Sequence, residues 1–177
     1  MEKIGIIVGS LRENSYSSLV AKALARILDG KAEAELLSID LPLYNQDMDA
    51  DTPQSIQNFK KSVAEKDGII FVTPEYNRGV PGPLKNAIDA ASRPYGDSAW
   101  DGIPALVVSQ TPGGMGAFGA NHQLRQSLTF LNMPVVQQPE VYLSNVGELF
   151  DEQGRLVAED TEQYLRSALD ALLRLIG

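Results

Sequence analysis

The stretch "KIGIIVGSLRENSYSSLVAKALARIL", from Lys3 to Leu28, decides the fold. It opens on Ile4-Gly5-Ile6-Ile7-Val8, an apolar run without alternation, as a parallel strand covered on both faces requires. It closes on Ser17 to Leu28, where Leu19, Val20, Ala23, Leu24 and Ile27 recur at helical spacing. Between them lies "GSLRENSYSS", Gly9 to Ser18, rich in Gly, Ser and Asn and holding one cation, Arg12. A strand, a hydroxyl-rich loop and a helix in that order are the opening unit of an α/β sheet.

Outward from this unit the same alternation continues. Strands are predicted at Lys3–Val8, Glu35–Ile39, Gly68–Thr73, Pro104–Ser109 and Val135–Val141. Helices are predicted at Pro53–Glu65, with Thr52 as its cap and Pro53 in the first position, and at Pro83–Ser92 and Asn121–Leu131. A last helix, Asp160–Ile176, carries Tyr164, Leu165, Ala168, Leu172 and Leu175 on one face. Alternating strands and helices imply a parallel sheet with right-handed crossovers and helices on both faces. Five strands suit the flavodoxin-like order 2-1-3-4-5, in a single domain over residues 1–177. The stretch "ELFDEQGRLVAED" reads as a surface turn around Gln153-Gly154.

Composition narrows the function. The formal charge is −8 with Lys and Arg scattered, so nucleic acid and anionic membrane are not expected partners, and an anionic ligand has to be held locally. No apolar run approaches the ~20 residues of a membrane span. No signal peptide is expected, and the absence of cysteine suits a cytoplasmic protein.

Ligands of open parallel sheets sit beyond the carboxyl ends of the strands, where the strand order reverses. The loops after strands one, three and four are the unusual ones. In the first, Ser10, Asn14, Ser15, Ser17 and Arg12 surround a helix N-terminus, a setting for a phosphate dianion; the same Ser and Asn also suit plain helix caps. The second, "TPEYNRGVPGPLKNAID", offers Tyr76 to stack on a flat ring and a Gly/Pro backbone feeding a helix. Glu75 either tunes a ring or turns to solvent, Asn77 either meets a ligand or steadies the turn, and Lys85 belongs on the helix surface. The third, "SQTPGGMGAFGANHQLR", contains a literal Gly-x-Gly-x-x-Gly at Gly114, Gly116 and Gly119, but Gln110, Thr111 and Pro112 separate it from its strand. Close approach of a flat ligand is the better reading of these glycines. His122 stands alone, and no catalytic constellation or metal-ligand set surrounds it. Asp47, Asp49 and Asp51 lack the glycine and glutamate of a calcium loop and are expected to be solvated.

Together these segments resemble the NAD(P)H-dependent FMN reductases of flavodoxin-like fold, in the branch of quinone and chromate reductases and azoreductases. "GSLRENSYS" matches the family's G-S-x-R-x-x-S phosphate loop, "TPEYNRGVPGPLKNAID" its most diagnostic segment, and "FDEQGRL" is also familial. The resemblance implies noncovalent FMN, with NADPH or NADH as electron donor and quinone, azo, chromate-type or free-flavin acceptors. Ser10, Arg12, Ser15, Tyr16 and Ser17 would surround the phosphate, and Pro74, Glu75, Tyr76 and Asn77 would border the isoalloxazine. Ser109, Gly113 and Gly114 would approach its other side or edge. Many relatives carry Asn where this chain has Ser17. No residue is expected to act as a catalytic acid or base. Family members form homodimers or homotetramers, for which Tyr95 and Trp100 are candidate contacts; local loop packing is the alternative for both. An electron carrier that binds FMN without oxidising NAD(P)H, and a flavin-free scaffold, are the competing functions.

Overall fold

The computed structural model describes residues 1–177. Five strands, β1 (Lys3–Val8), β2 (Glu33–Leu37), β3 (Gly68–Thr73), β4 (Ala105–Gln110) and β5 (Val141–Leu143), form one parallel sheet in the order β2-β1-β3-β4-β5. Five α-helices follow them: α1 (Tyr16–Leu28), α2 (Gln54–Ala64), α3 (Gly82–Ala91), α4 (Phe118–Phe130) and α5 (Glu159–Ile176). This is the flavodoxin-like arrangement that the alternation of elements predicts.

The strand pleat sorts the core into two layers. Ile4, Ile6, Ile70, Val72, Leu106 and Val108 pack against Val20, Leu24 and Leu28 of α1 and Leu165, Leu169 and Leu172 of α5. The intervening Ile7, Ile69, Phe71 and Val107 pack against α2, α3 and α4 through Phe59, Val63, Leu84, Ile88, Leu124 and Leu128. All six residues of β3 and all six of β4 are buried, which is why these runs show no polar alternation.

Several boundaries differ from expectation. The fifth strand is Val141–Leu143, not Val135–Val141. Val135 makes only a lone bridge to Ala105, because Pro134 and Pro139 bracket the segment and neither has an N–H for a ladder. The second strand is Glu33–Leu37, not Glu35–Ile39; it pairs Glu33 with Lys3 and is the exposed edge. Pro53, not Thr52, is the N-cap of α2; the Thr52 hydroxyl donates instead to the Met48 carbonyl.

The structure also decides between the two readings of Trp100 and corrects that of Asp49. Trp100 is fully buried against Phe59 and Phe71 and donates its indole N–H to the Ile88 carbonyl at 3.0 Å, so it belongs to the core and not to a surface contact. Asp49 is not simply solvated: it accepts from the Tyr44 hydroxyl at 2.8 Å and pairs with Arg93, fastening the loop after β2 to the end of α3. Asn86 adds to this fastening by accepting from the Tyr44 N–H and donating to the Pro42 carbonyl. Hydrogen bonding from Arg93, then from Tyr44, holds the Asp49 carboxyl below its ordinary range. A carboxyl depressed in the folded state adds stability above the unfolded value of ~3.9, and that stability is lost as pH falls through the folded value. Thermal melts of wild type and Asp49→Asn should therefore converge below about pH 4, the wild type losing more on acidification. Curves that stay parallel below that pH would remove Asp49 from the fastening.

Lys85 lies exposed on α3, paired with Asp89 one turn on. The segment after β5 closes as a turn at Gly154, with Phe150 bridged to Leu156.

Candidate flavin site

The carboxyl ends of β1, β3 and β4 are adjacent in the sheet, and each leads into one of the three unusual loops. The first loop ends in a helix start built by Ser15. Its hydroxyl oxygen accepts from the Ser18 N–H at 3.1 Å and lies 2.9 Å from the Ser18 hydroxyl, an N-cap that sets the entry of α1. The N–H groups of Ser15, Tyr16 and Ser17 donate to no protein acceptor. Such a run of unpaired donors at the positive end of a helix dipole is a receptor for an anion. Ser10 accepts from the Arg12 N–H, which bends the loop, while the exposed Arg12 guanidinium enters no ion pair. Tyr16 lies over Gly147, whose added Cβ would come 2.9 Å from its hydroxyl.

Ser17 is placed differently from the other hydroxyls. It is fully buried, and its oxygen accepts from Gln110 Nε2 at 2.8 Å. Only its backbone N–H belongs to the open donor run.

The second loop is a tight hairpin. Tyr76 and Gly79 exchange both backbone hydrogen bonds, and Asn77 and Arg78 between them have φ of 50° and 67°. Positive φ at both central positions is the type I′ turn, which Asn favours. The turn therefore accounts for Asn77 and leaves Tyr76 half exposed at the rim. Pro74 accepts at its carbonyl from the Thr73 hydroxyl. Glu75 turns inward: it accepts from the Ala120 N–H at 3.0 Å, capping α4, and pairs with Arg78 at 3.2 Å. Gln123 accepts from the Val80 N–H. Gly119 permits this docking, since a Cβ there would lie 2.7 Å from the Arg78 carbonyl oxygen.

The third loop is knitted from beneath. Ser109 is fully buried, donating to the Gly116 carbonyl at 2.6 Å and accepting from Asn121. Gly116, at φ 57°, presses on Tyr142; a Cβ would come 2.6 Å from the tyrosine Cβ. Gly113 and Gly114 stay exposed, and nothing lies within 4 Å of the Cβ position of Gly114. Ser109 and Glu75 thus shape the loops from behind, while Tyr76, Gly113 and Gly114 stay exposed. The left-handed turn at Gly116 and Ala117 together with the Glu75 cap starts α4 at Phe118, ahead of the predicted Asn121.

His122 joins a small aromatic group that its isolation in the sequence does not announce. Its ring lies tilted against that of Phe118, at 4.2 Å between centroids, and its Nε2 lies 2.9 Å from the Tyr142 hydroxyl. Burial, then hydrogen bonding to Glu140 and its charge, push the Tyr142 phenol up to about 12, so it stays protonated at neutral pH. Gln110, Asn121 and Gln123 are the participants that sequence reasoning missed. The one signal in the sequence was a polar pair, Ser109-Gln110, closing an otherwise apolar strand.

The donor set fits FMN. A run of unpaired N–H donors beside a permanent cation follows β1, and the exposed Tyr76 and the exposed glycines follow β3 and β4, its neighbours in the sheet. The chain is 48% identical over 169 residues to a quinone reductase of Pseudomonas putida, covering 94% of this chain and 90% of that protein. It is 41% identical over 169 residues to a 2-hydroxy-1,4-benzoquinone reductase of Burkholderia sp, covering 95% and 92%. The solved structure of FerB, a flavoenzyme NAD(P)H:(acceptor) oxidoreductase from Paracoccus denitrificans, superposes with a TM-score of 0.93 at 37% identity, over 99% of this chain and 97% of that one. The family model described as NADPH-dependent FMN reductase matches residues 2–148: this chain belongs to the NADPH-dependent FMN reductase family.

Proposed function

We propose that this protein is an FMN-dependent NAD(P)H oxidoreductase that reduces quinones. The observation that carries the reading is the run of unpaired N–H groups at the start of α1, beside Arg12 and across from the Tyr76 hairpin and the glycine loop. When bound, FMN supplies hydride acceptance from NAD(P)H and delivery to the acceptor, so the protein's work is placement and electrostatics.

Ser10, Arg12, Ser15, Tyr16 and the backbone N–H of Ser17 hold the phosphate. Pro74, Tyr76 and Asn77 border the ring on one side, with Glu75 fixing the hairpin to α4. Gly113 and Gly114 border it on the other, with Ser109 fixing their loop. No side chain here is required to take a proton in the hydride step. The neutral Tyr142 and its neighbour His122 stand close to the glycine loop through Phe118 and Gly116.

The reading includes a homodimer or homotetramer in the cytoplasm. Large exposed apolar side chains support association: Tyr95, Met115, Phe118 and Phe130 all stand out from the surface. Composition without cysteine suits a reducing compartment.

The test is steady-state oxidation of NADPH, and separately NADH, by FMN-loaded protein with a benzoquinone as acceptor. Turnover that requires both flavin and quinone is the expected result. An FMN-bound protein that leaves both nucleotides unoxidised is an electron carrier, and a protein that takes up no FMN is a scaffold.

A further inference from the structure

At the tip of β4 two consecutive side chains point into opposite layers. Ser109 holds the glycine loop through the Gly116 carbonyl, and Gln110 holds the first turn of α1 through the Ser17 hydroxyl. We propose that Gln110 is a positioning residue for the FMN phosphate: by tethering Ser17 to β4 it fixes the open donors of α1 relative to the ring loops. The proposal rests on the FMN reading above.

The contact joins residues 93 apart in sequence, and neither side chain has another use. Ser17 is 0% exposed and Gln110 3%. Below Gln110 on the same face of β4 stand Val108 and Leu106, so the layer calls for an apolar side chain. Gln110 Oε1 is buried and receives no hydrogen bond. A buried acceptor without a donor destabilises the folded state, whereas a leucine would fill comparable space with no such loss. The amide is therefore kept at some expense of stability. What it reaches is one hydroxyl, in the turn that carries the N–H groups of Ser15, Tyr16 and Ser17. The Ser15 cap fixes that turn along the helix axis, and Gln110 fixes it against the sheet. Hydrogen bonds to a phosphate are short and weaken with small displacements, so a turn free to shift against β4 would bind FMN less well. Ligands without the phosphate would not register the change.

The experiment titrates apo-protein with FMN and with riboflavin, following flavin fluorescence, for wild type, Ser17→Ala, Gln110→Leu and the double variant, with a thermal melt of each. Each single variant should bind FMN about tenfold more weakly, equivalent to ~1.4 kcal/mol, with riboflavin affinity changed by less than about twofold. The double variant should show the same tenfold loss and not a hundredfold one, since one tether is removed, and should melt at or above the wild-type temperature, since no buried amide remains unpaired. Tight FMN binding by the double variant overturns the proposal, as does an equal weakening of FMN and riboflavin. Should Gln110→Leu alone fail to fold, Ser17→Ala and the double variant carry the same comparison. A wild-type chain that binds riboflavin and FMN alike, or neither, overturns the phosphate site itself and is recognisable before any variant is made.

Discussion

Trp100→Ala should lower the stability of this protein by about 3–5 kcal/mol, the range for deleting a large aromatic from a closed core. The indole is 0% exposed and sits with its ring 6.0 Å from Phe59, edge-on at 67°, and 5.7 Å from Phe71. Phe59 belongs to α2 and Phe71 to β3, and the indole N–H reaches the carbonyl of Ile88 in α3, so one side chain holds three elements. In a chain of this size each kcal/mol moves the melting temperature by roughly 2–4 °C, which gives a fall of about 6–20 °C. Trp100→Phe keeps much of the aromatic packing and gives up the hydrogen bond and some volume, so it should lose only about 1–2 kcal/mol. Because α3 begins at Gly82, directly after the Tyr76 hairpin, the alanine variant should also release FMN at a lower temperature than wild type. Urea denaturation with the slope checked for two-state behaviour measures the first effect. A loss below about 1 kcal/mol would contradict a core position and return Trp100 to the surface role that its loop context allows.

That ambiguity shows where sequence reading reached its limit. Ile4–Val8, Ile69–Val72 and Ala105–Val108 were legible as strands because parallel strands buried on both faces leave unbroken apolar runs. The helices were legible from their 3.6-residue spacing, and α1, α2, α3 and α5 to within a residue at both ends. A lone tryptophan in "SRPYGDSAW" carries no periodicity, so nothing local says whether the loop folds it inward. Tyr95, five residues earlier, is 90% exposed, while Trp100 is fully buried.

The candidate site was legible in its loops and not in its supports. Gly9 to Ser17 and Thr73 to Pro83 stood out by composition, since hydroxyls, glycines and prolines cluster where backbone must approach a ligand. Which of those hydroxyls faces outward depends on partners far away in sequence. Ser17 is turned in by Gln110, and Glu75 by the N–H of Ala120, across a separation of 45 residues. Such contacts arise only once the strand order is set, so a reading by position alone assigns Ser17, Glu75 and Ser109 to the ligand. The structure gives each a hydrogen bond that shapes a loop, buried for Ser17 and Ser109 and partly buried for Glu75.

Arg12→Ala should weaken FMN binding by about 1.5–3 kcal/mol, or roughly 10–150-fold, with no change in melting temperature of the apo-protein. The argument starts from what Arg12 does not do. Its guanidinium is exposed and enters no ion pair, so its removal breaks nothing in the fold. The protein carries a formal charge of −8, so a phosphate dianion approaches against the overall field and gains most from the one permanent cation in the loop. The guanidinium fork matches two phosphate oxygens, a geometry that lysine lacks, so Arg12→Lys should recover only part of the loss. Salt supplies an independent check: raising ionic strength should weaken FMN binding in wild type more than in Arg12→Ala, because screening acts on the interaction that the variant has already lost. Riboflavin, without the phosphate, should bind both proteins equally. Equal FMN affinity in wild type and Arg12→Ala would place the phosphate elsewhere and leave the open donors of α1 without their ligand.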